Sequence, residues 1–323
     1  MNLNALSVFI TVAEEMNFTR AARKLYITQQ SLSAHIKRLE SEYNILLFER
    51  KPILKLTPAG EAFLFYARQM ISAERNLVDS LADISKNSTG FLDLGLSHQR
   101  SGVFFEEFWD RFHPLYPNID IRLHEENTAG LLELLQAGEI NLLIGVDIPP
   151  SPHYLSEKIS NERMRCIVSR SLIERYYPDS ASQIIKQCEQ NGMDPRTLSK
   201  LPLIVLPKGN RFRRTMDRMF RSAGIMPHII LESNRQELAL HLCLRGEGMA
   251  FLSPIVLYDY YKKNEALPAD CYCFDVPDAD DSIISLVSVA GTKDTHFAEA
   301  MKQAIRDTYK KYNETMASCY TKK

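Results

Sequence analysis

A short segment near the N-terminus carries polar side chains whose spacing suits contact with DNA. Gln30, Ala34, Lys37 and Arg38 recur at helical spacing, with Ser33 beside them. Amide side chains form hydrogen bonds with base edges, whereas lysine, arginine and serine hold phosphate oxygens. The pattern therefore predicts a helix whose polar face enters the major groove, with its first residues nearest the bases.

The opposite face of this helix must pack inward, because Leu32, Ile36 and Leu39 are spaced four and three residues apart. A shorter helix precedes it, and Thr19 is expected to cap that helix while Thr28 caps the longer one. Two such helices predict a helix-turn-helix. The alternative is an ordinary helical hairpin with a solvated polar face.

The next twenty residues favour the DNA-binding interpretation. Residues 53 to 56 alternate in polarity and predict a short strand. Arg50, Lys51 and Lys55 flank this strand, as the basic residues of a wing would. Helix-turn-helix and wing together predict a winged-helix domain.

Residues 3 to 85 resemble the LysR-type transcriptional regulators, and a weaker resemblance in the pattern of strands and helices continues to about residue 305. The resemblance is carried by many matching positions, which are Phe9, Val12, Ala13, Glu14, Phe18, Thr19, Ala21, Ala22, Leu25, Thr28, Gln29, Leu32, Ser33, Ile36, Leu39, Glu40, Leu47, Phe48, Arg50, Leu56, Thr57, Pro58, Ala59 and Gly60.

The resemblance implies particular contacts with DNA. The groove contacts would be Gln29, Gln30, Ser33 and Lys37, the wing contacts Arg50 and Lys51, and a phosphate contact Arg20. Two positions depart from the family, which often has proline at 30 and arginine at 34. If the family arginine reads a base, Ala34 cannot do so, and either Gln30 substitutes or specificity shifts toward DNA shape.

A long helix is expected from Thr57-Pro58 to about residue 85, because threonine caps helices and proline fits the first helical position. An apolar stripe along it predicts packing against a partner helix. Its residues are Phe63, Met70, Leu77, Leu81 and Ile84. In the family this helix links the domains and joins two subunits. The alternative is a core helix of a single domain. Residues 86–90 have the composition of a hinge.

Beyond the hinge, strands and helices alternate, which predicts parallel α/β sheets. Strands are expected at 91–96, 119–124, 141–146, 163–169, 203–206, 228–232, 249–252, 271–274 and 283–289, and helices at 103–115, 129–137, 182–190, 211–223, 235–245 and 295–312. The resemblance implies two Rossmann-like lobes, similar to periplasmic binding proteins. An insertion at 177–199 departs from the family.

The expected fold class is therefore α/β with a winged-helix N-terminal domain. The expected domains are residues 1–58 (DNA-binding), 59–89 (linker helix and hinge), 90–312 (effector-binding, with lobe I at about 90–165 and 270–312 and lobe II at about 166–269) and a fraying tail at 313–323.

Ligands of open α/β sheets bind beyond the carboxyl ends of the strands. A small effector between the lobes would accordingly meet Ser97, His98, Arg100, Ser101, Thr128, Lys208 and Asn234. Arg100 or Lys208 in such a pocket would suit a ligand with a carboxylate. The alternative is that polar residues at strand ends serve the fold alone, and a lone histidine such as His98 is more often structural than a proton switch.

Composition narrows the class of protein. The 323 residues carry a net charge of −1, but residues 1–60 hold eight basic and five acidic side chains, which suits a protein that binds DNA through one part. The sequence lacks a secretion signal pattern and a span of roughly 20 apolar residues, so a cytoplasmic location without membrane contact is expected. The six cysteines are expected to be free thiols, and Cys271 and Cys273 structural rather than metal-binding or redox-active.

The leading hypothesis is a sequence-specific, effector-controlled transcription regulator without a cofactor. Its partners would be double-stranded promoter DNA, a small metabolite, further copies of itself in a homodimer or homotetramer, and RNA polymerase. An enzyme is the alternative, although no nucleotide, nucleophile or zinc motif is present. A solute-binding protein would lack the N-terminal domain, and an architectural chromatin protein would be more basic.

Overall fold

The computed structural model describes residues 2–50, 52–84, 89–264, 266–291 and 294–321. The chain forms two compact units, of which unit one comprises residues 1–157 and 285–305 and unit two comprises residues 158–284 and 306–323. The predicted hinge at 86–90 falls largely outside the described residues, as does Lys51.

Three helices open unit one, namely α1 (Leu3–Glu15), α2 (Phe18–Lys24) and α3 (Gln29–Tyr43). Their apolar faces meet in one core, in which Leu6, Phe9, Leu32 and Ile36 are almost fully buried. The expected cap of α2 is wrong, because Asn17 rather than Thr19 accepts the backbone N–H groups of residues 19 and 20.

The wing consists of β1 (Phe48–Glu49) and β2 (Lys55–Leu56), which pair antiparallel. The strand expected at 53–56 is confirmed only for its second half. Phe48 is buried and stacks obliquely on Phe9 with ring centroids 5.3 Å apart, so the wing is fixed to the helical core.

The long helix α4 (Pro58–Ile84) follows the wing as expected. The Thr57 hydroxyl accepts the Gly60 N–H at 2.9 Å, which confirms the predicted cap. Position 60 requires glycine, because a Cβ there would lie 2.1 Å from the Leu47 carbonyl oxygen.

The remaining elements alternate as predicted, with several differences in their bounds. In chain order they are β3 (Gly90–Leu96), α5 (His98–Phe112), β4 (Ile119–Glu125), α6 (Thr128–Gln136), β5 (Leu142–Val146), β6 (Tyr154–Glu162), β7 (Arg165–Ser169), α7 (Arg170–Tyr176), α8 (Ala181–Asn191), β8 (Leu203–Val205), α9 (Arg211–Ser222), β9 (Ile229–Glu232), α10 (Gln236–Leu244), β10 (Met249–Leu252), α11 (Pro254–Lys263), β11 (Cys271–Asp275), β12 (Ser282–Val289) and α12 (His296–Thr321).

Two five-stranded sheets contain these strands, in the orders β4-β3-β5-β12-β6 and β11-β7-β10-β8-β9. In the first sheet β3 runs parallel to both β4 and β5. In the second sheet β8 runs parallel to β9 and β10, whereas β7 is antiparallel to β10 and β11. The assignment of residues 271–275 to lobe I is therefore wrong, because β11 pairs with β7 of the second sheet.

Three further expectations need correction. Helix α5 begins at His98 instead of residue 103, because the Ser97 hydroxyl caps it. Strand β6 and helices α7 and α11 were not predicted. The last helix does not end at Tyr312 with a fraying tail. It continues to Thr321 because its apolar side continues, with Met316 buried.

The insertion at 177–199 contains α8, close to the predicted helix at 182–190. Helix α8 buries Ile184, Ile185 and Cys188 in the core of unit two, and it stops at Gly192. Gly192 has a φ of 78°, and the Met193 N–H that follows donates to the Asp275 carbonyl at 2.7 Å. The insertion therefore adds a packed helix to the second sheet.

Within unit one, α4 also packs against the end of α6. The Gln69 amide donates to the Gln136 carbonyl at 2.7 Å, and Arg68 Nη2 lies 3.2 Å from a Glu14 oxygen and 3.7 Å from a Glu139 oxygen. Gly138, with a φ of 71°, approaches so closely that a Cβ would lie 2.9 Å from Ser72 Cβ. We call this contact the linker junction.

Candidate functional site

The outward face of α3 is the candidate DNA-binding surface. Gln29, Gln30, Ala34 and Lys37 are exposed on it, and Ser33 is half-buried. The opposite face, with Leu32 and Ile36 at 0% exposure, is closed by the core. The structure thus separates the two faces as the spacing predicts and brings the four proposed groove contacts onto one surface.

The N-terminal end of α3 is held in place by two threonines. The Thr28 hydroxyl accepts the Ser31 N–H at 3.1 Å, which confirms the expected cap. Thr19 lies on α2, and its hydroxyl donates to the Gln29 side-chain oxygen at 3.1 Å. The first side chain of α3, that of Gln29, is therefore held by a residue of the preceding helix.

Arg20, the proposed phosphate contact, is exposed but has a partner within the protein. Its guanidinium donates to the Glu15 carbonyl at 2.5 Å and lies 3.4 Å from the Glu15 carboxylate. The same carboxylate accepts from Lys24 at 3.1 Å, and this hydrogen bond raises the pKa of Lys24. Arg20 and Lys24 thus share one carboxylate at the start of the motif.

Arg50, the proposed wing contact, is half-exposed and anchored to the core. Its Nη2 lies 3.3 Å from a Glu40 oxygen, and its guanidinium carbon lies 5.3 Å from the centre of the Phe18 ring. Lys55, on the other strand of the wing, pairs with Glu49 at 2.8 Å. The described wing therefore presents arginine and lysine beside α3, each accompanied by a carboxylate.

Glu40 is a residue whose role sequence reasoning missed. Its buried carboxylate accepts the backbone N–H groups of Leu47 at 3.0 Å and Phe48 at 3.3 Å, besides contacting Arg50. It therefore fixes the wing relative to α3. The sequence did offer a signal for this role, because Glu40 directly follows the buried Leu39 and precedes the segment that carries Arg50.

The stripe proposed for subunit contact is largely exposed. Leu77 and Leu81 are each 58% exposed, and Met70, Tyr66 and Val78 are exposed near them. Phe63 does not belong to this free surface, because its ring packs edge-on against Phe9 at 4.8 Å within the core. The Ile84 side chain lies outside the described residues.

In unit one, the proposed effector contacts cluster where β3, β4 and β5 end. His98 Nδ1 lies 3.2 Å from a Glu125 oxygen, and the Ser101 hydroxyl donates to the other oxygen of that carboxylate. The Ser101 hydrogen bond, with a smaller contribution from His98, lowers the pKa of Glu125. Glu125 ends β4 and was not predicted as part of this cluster.

The other residues proposed in unit one serve the backbone or the core. Ser97 caps α5, and the Thr128 hydroxyl accepts the Val146 N–H at 3.2 Å. Arg100 is buried at 5% exposure, so it is not an open cation at the strand ends.

In unit two, Lys208 and Asn234 follow the neighbouring parallel strands β8 and β9. Both side chains are exposed. Lys208 lies in the turn before α9, which Asn210 caps by accepting the Phe212 N–H at 2.9 Å. The two residues thus follow the carboxyl ends of adjacent strands, as the sequence predicts.

The cysteines are free thiols, as expected, and lie mainly in the core of unit two. Burial raises the pKa of Cys188 and of Cys271 to about 11 and that of Cys273 to about 12. Thiols with such pKa values stay protonated and react slowly. The described residues contain no cluster that would hold a metal ion.

The arginine-rich helix α9 has a solvated face, and arginine side chains on that face have partners within the protein. Arg214 donates to the Gly209 carbonyl at 2.7 Å, and Arg218 lies 2.5 Å from Asp280.

No helix within the described ranges is both long and apolar enough to cross a bilayer.

Comparison with known sequences agrees with this arrangement. The profile of the bacterial regulatory helix-turn-helix protein of the lysR family matches residues 3–61, and that of the LysR substrate binding domain matches residues 86–307. The transcriptional regulator TfdS of Cupriavidus pinatubonensis is 31% identical over 255 residues, which cover 78% of this chain and 82% of TfdS.

Solved structures show the same fold. Full-length LysG from Corynebacterium glutamicum, with arginine bound as effector, is 16% identical, covers 96% of this chain and 99% of its own, and has a TM-score of 0.66. CbnR in complex with its target DNA is 22% identical, covers 95% of this chain and 100% of its own, and has a TM-score of 0.55.

The relatives are named transcriptional regulators, so the enzyme alternative is set aside. The chain has a helix-turn-helix that exposes its polar face and, later in the sequence than the long helix α4, two α/β sheets. It also matches both characteristic domains, so it belongs to the LysR family of DNA-binding transcriptional regulators with an effector-binding domain.

Proposed function

We propose that this regulator binds promoter DNA with α3 in the major groove. A small metabolite that binds to its α/β lobes would change how the protein contacts the DNA. The observation that carries the proposal is the exposed polar face of α3 opposite a closed apolar face. Gln29, Gln30 and Ser33 would meet bases or phosphates, and Lys37 would meet a phosphate.

Two subunits are needed for two half-sites separated by helical turns of DNA. The exposed stripe on α4, with Leu77 and Leu81, supplies an apolar surface for a second copy. LysR regulators form oligomers, and a dimer or a pair of dimers would position two reading heads. Such a protein would act in the cytoplasm, where it meets DNA and RNA polymerase.

The effector would contact the polar strand ends of the lobes, namely His98, Ser101 and Thr128 in unit one and Lys208 and Asn234 in unit two. Support comes from their common position after parallel strands, where ligands of α/β sheets bind. A ligand changes the state of the regulator only if it binds one arrangement more tightly than the other.

The first experiment is a nuclease footprint of the full-length protein on the DNA upstream of its own gene and of neighbouring genes. Protected segments with two-fold symmetry, spaced by helical turns, would support the proposal. Metabolites are then screened for a change in that footprint. Selection from random duplexes that yields no enriched sequence would contradict sequence-specific binding.

The contribution of Lys37 can be measured separately. Lys37→Ala should weaken binding about equally on all sequences and reduce the slope of log affinity against log salt by about 1, because one phosphate contact is lost. Lys186→Ala, an exposed lysine on α8, is the matched control and should leave both quantities unchanged. An unchanged salt slope for Lys37→Ala would remove Lys37 from the interface.

A further inference from the structure

Two exposed side chains, one near the start of α2 and one at the start of α3, form a hydrogen bond that bears on base selection. Thr19 on α2 donates its hydroxyl to the side-chain oxygen of Gln29, the first residue of α3, at 3.1 Å. Asn17 already satisfies the start of α2, so the Thr19 hydroxyl is not required as a cap.

This bond determines which end of the Gln29 amide faces outward. A glutamine amide has one acceptor oxygen and one NH2 donor, held on opposite sides of the same carbon. Because the oxygen is directed at Thr19, the NH2 group is directed away from Thr19. With its oxygen turned to Thr19 and one lone pair occupied, Gln29 presents its NH2 donors to a base, where a free glutamine presents either end of the amide.

Donor-only presentation discriminates between bases. Adenine carries an acceptor at N7 and an amino donor at N6, so its bidentate recognition needs both ends of the amide. Guanine presents two acceptors, N7 and O6, in the major groove, whereas cytosine presents an amino donor. An NH2 group finds two acceptors on guanine, whereas on adenine it finds only N7, with the N6 amino donor directly beside it. On cytosine it meets an amino donor.

We propose that Thr19 is a specificity-determining residue, which holds the Gln29 amide so that Gln29 selects guanine over adenine in the target site. The inference rests on the proposed placement of α3 in the major groove. Thr19 itself acts as a positioning residue and need not touch DNA.

The neighbouring position provides an internal comparison. Gln30 is also exposed, and the Thr19 hydroxyl is bonded to Gln29 instead. Substitution of Gln30 should therefore alter a different base position, and that alteration should not depend on Thr19.

The test is selection of bound sequences from random DNA duplexes by the full-length protein. Four further proteins are compared with the wild type, namely Gln29→Ala, Gln30→Ala, Thr19→Ser and Thr19→Val. Gln29→Ala identifies the base position that Gln29 controls, because that position loses its preference. Thr19→Ser retains the hydroxyl, and Thr19→Val replaces it with a methyl of similar size.

We expect guanine at the Gln29 position for the wild type and Thr19→Ser. For Thr19→Val the ratio of guanine to adenine should fall about tenfold, which lies within the discrimination of a good base contact. The thermal unfolding of Thr19→Val should match that of Thr19→Ser, and the Gln30 position should keep its preference.

The outcomes separate this inference from the proposed function. Enrichment of adenine at the Gln29 position, an unchanged ratio in Thr19→Val, or no altered position in Gln29→Ala would overturn the inference while leaving sequence-specific binding intact. Absence of any enriched sequence, with every protein, would overturn the proposed function and this inference together.

Discussion

Glu40 connects α3 with the wing through a single carboxylate. Its oxygens accept two backbone N–H groups, from Leu47 and Phe48, and it contacts the Arg50 guanidinium. A buried carboxylate that accepts several hydrogen bonds is costly to replace by a group that satisfies fewer of them. The angle of the wing relative to the recognition helix therefore depends on this residue.

We predict that Glu40→Gln destabilises the DNA-binding domain by about 1–3 kcal/mol, because the charge-assisted hydrogen bonds weaken. One Glu40 oxygen accepts both backbone N–H groups, so the amide NH2 of the variant is placed against the Arg50 guanidinium. The measurement is the unfolding temperature of the full-length protein, combined with protease cleavage near the wing. Glu49→Gln, at the exposed pair with Lys55, is the control and should have little effect. Equal effects of the two substitutions would contradict the role of Glu40.

Glu125 is the titrating group of the candidate effector cluster. Hydrogen bonds from Ser101 and, to a smaller extent, His98 lower the pKa of Glu125 in the folded protein. A carboxyl with a depressed folded pKa contributes stability above its unfolded pKa and loses that contribution as pH falls through the folded pKa. The cluster should therefore loosen only on the acid side.

Ser101→Ala should raise the pKa of Glu125 toward the ordinary value of a glutamate, because the largest cause of its depression is removed. Carboxyl titration followed by NMR on the wild type and the variant would measure this change. Ser101→Thr keeps the hydroxyl and should keep the low pKa. A pKa of Glu125 that is the same in Ser101→Ala would show that Ser101 does not hold the carboxylate.

The two ends of helix α4 lie in different environments. Near its start Phe63 belongs to the winged-helix core, whereas farther on Leu77 and Leu81 are exposed. The apolar stripe is continuous in the sequence, but its first part is used within one subunit. Only the later part is available to a second copy.

Leu77→Glu should shift the protein toward monomers, because a buried charge without a partner disfavours an apolar contact between helices. Light scattering after gel filtration over a range of concentrations measures this shift. Arg75→Glu also places a glutamate on α4, about 200° around the helix, and should leave the oligomeric state unchanged. A Leu77→Glu protein of unaltered mass would move the subunit interface away from α4.

The elements also show how far the sequence alone could lead. The buried Leu32, Ile36 and Leu39 and the cap at Thr28 follow from local spacing, and the structure confirms them. Asn17 was missed because two potential caps stand two residues apart, and only the backbone conformation at residue 17 selects between them. Glu125 and Phe63 acquire their roles from distant partners, and no local pattern contains that information.

Sheet membership was equally inaccessible to local reasoning. Strand β11 could pair with either sheet as far as its own residues show, and its antiparallel register with β7 assigns it to the second one. Residues 313–321 look polar in sequence, yet α12 continues through them because Tyr312 and Met316 are buried.

Across the whole of unit one, the linker junction joins α4 to the end of α6. Gly138→Ala should disrupt it, since the added Cβ would lie 2.9 Å from Ser72 Cβ and the backbone φ of 71° disfavours alanine. Hydrogen exchange of the amides around residues 68–72 and 136–139 should become faster.

Gly224→Ala is a matched control for that experiment. Gly224 has nearly the same φ, 72°, but no atom lies within 4 Å of a Cβ built there. This variant carries the backbone strain without the contact, so exchange at the linker junction should remain slow. Equal acceleration in both variants would mean that the close approach of Gly138 to Ser72 does not hold the junction.

The same junction contains one positive charge, on Arg68, and two negative ones. One guanidinium nitrogen faces two carboxylates, that of Glu14 in α1 at 3.2 Å and that of Glu139 after α6 at 3.7 Å. One cation thus serves both carboxylates, so Arg68 bridges helix α1 and the segment that follows α6. Arg68 also offsets the repulsion between the two carboxylates, and this contribution weakens as added salt shortens the Debye length to about 10 Å at 0.1 M.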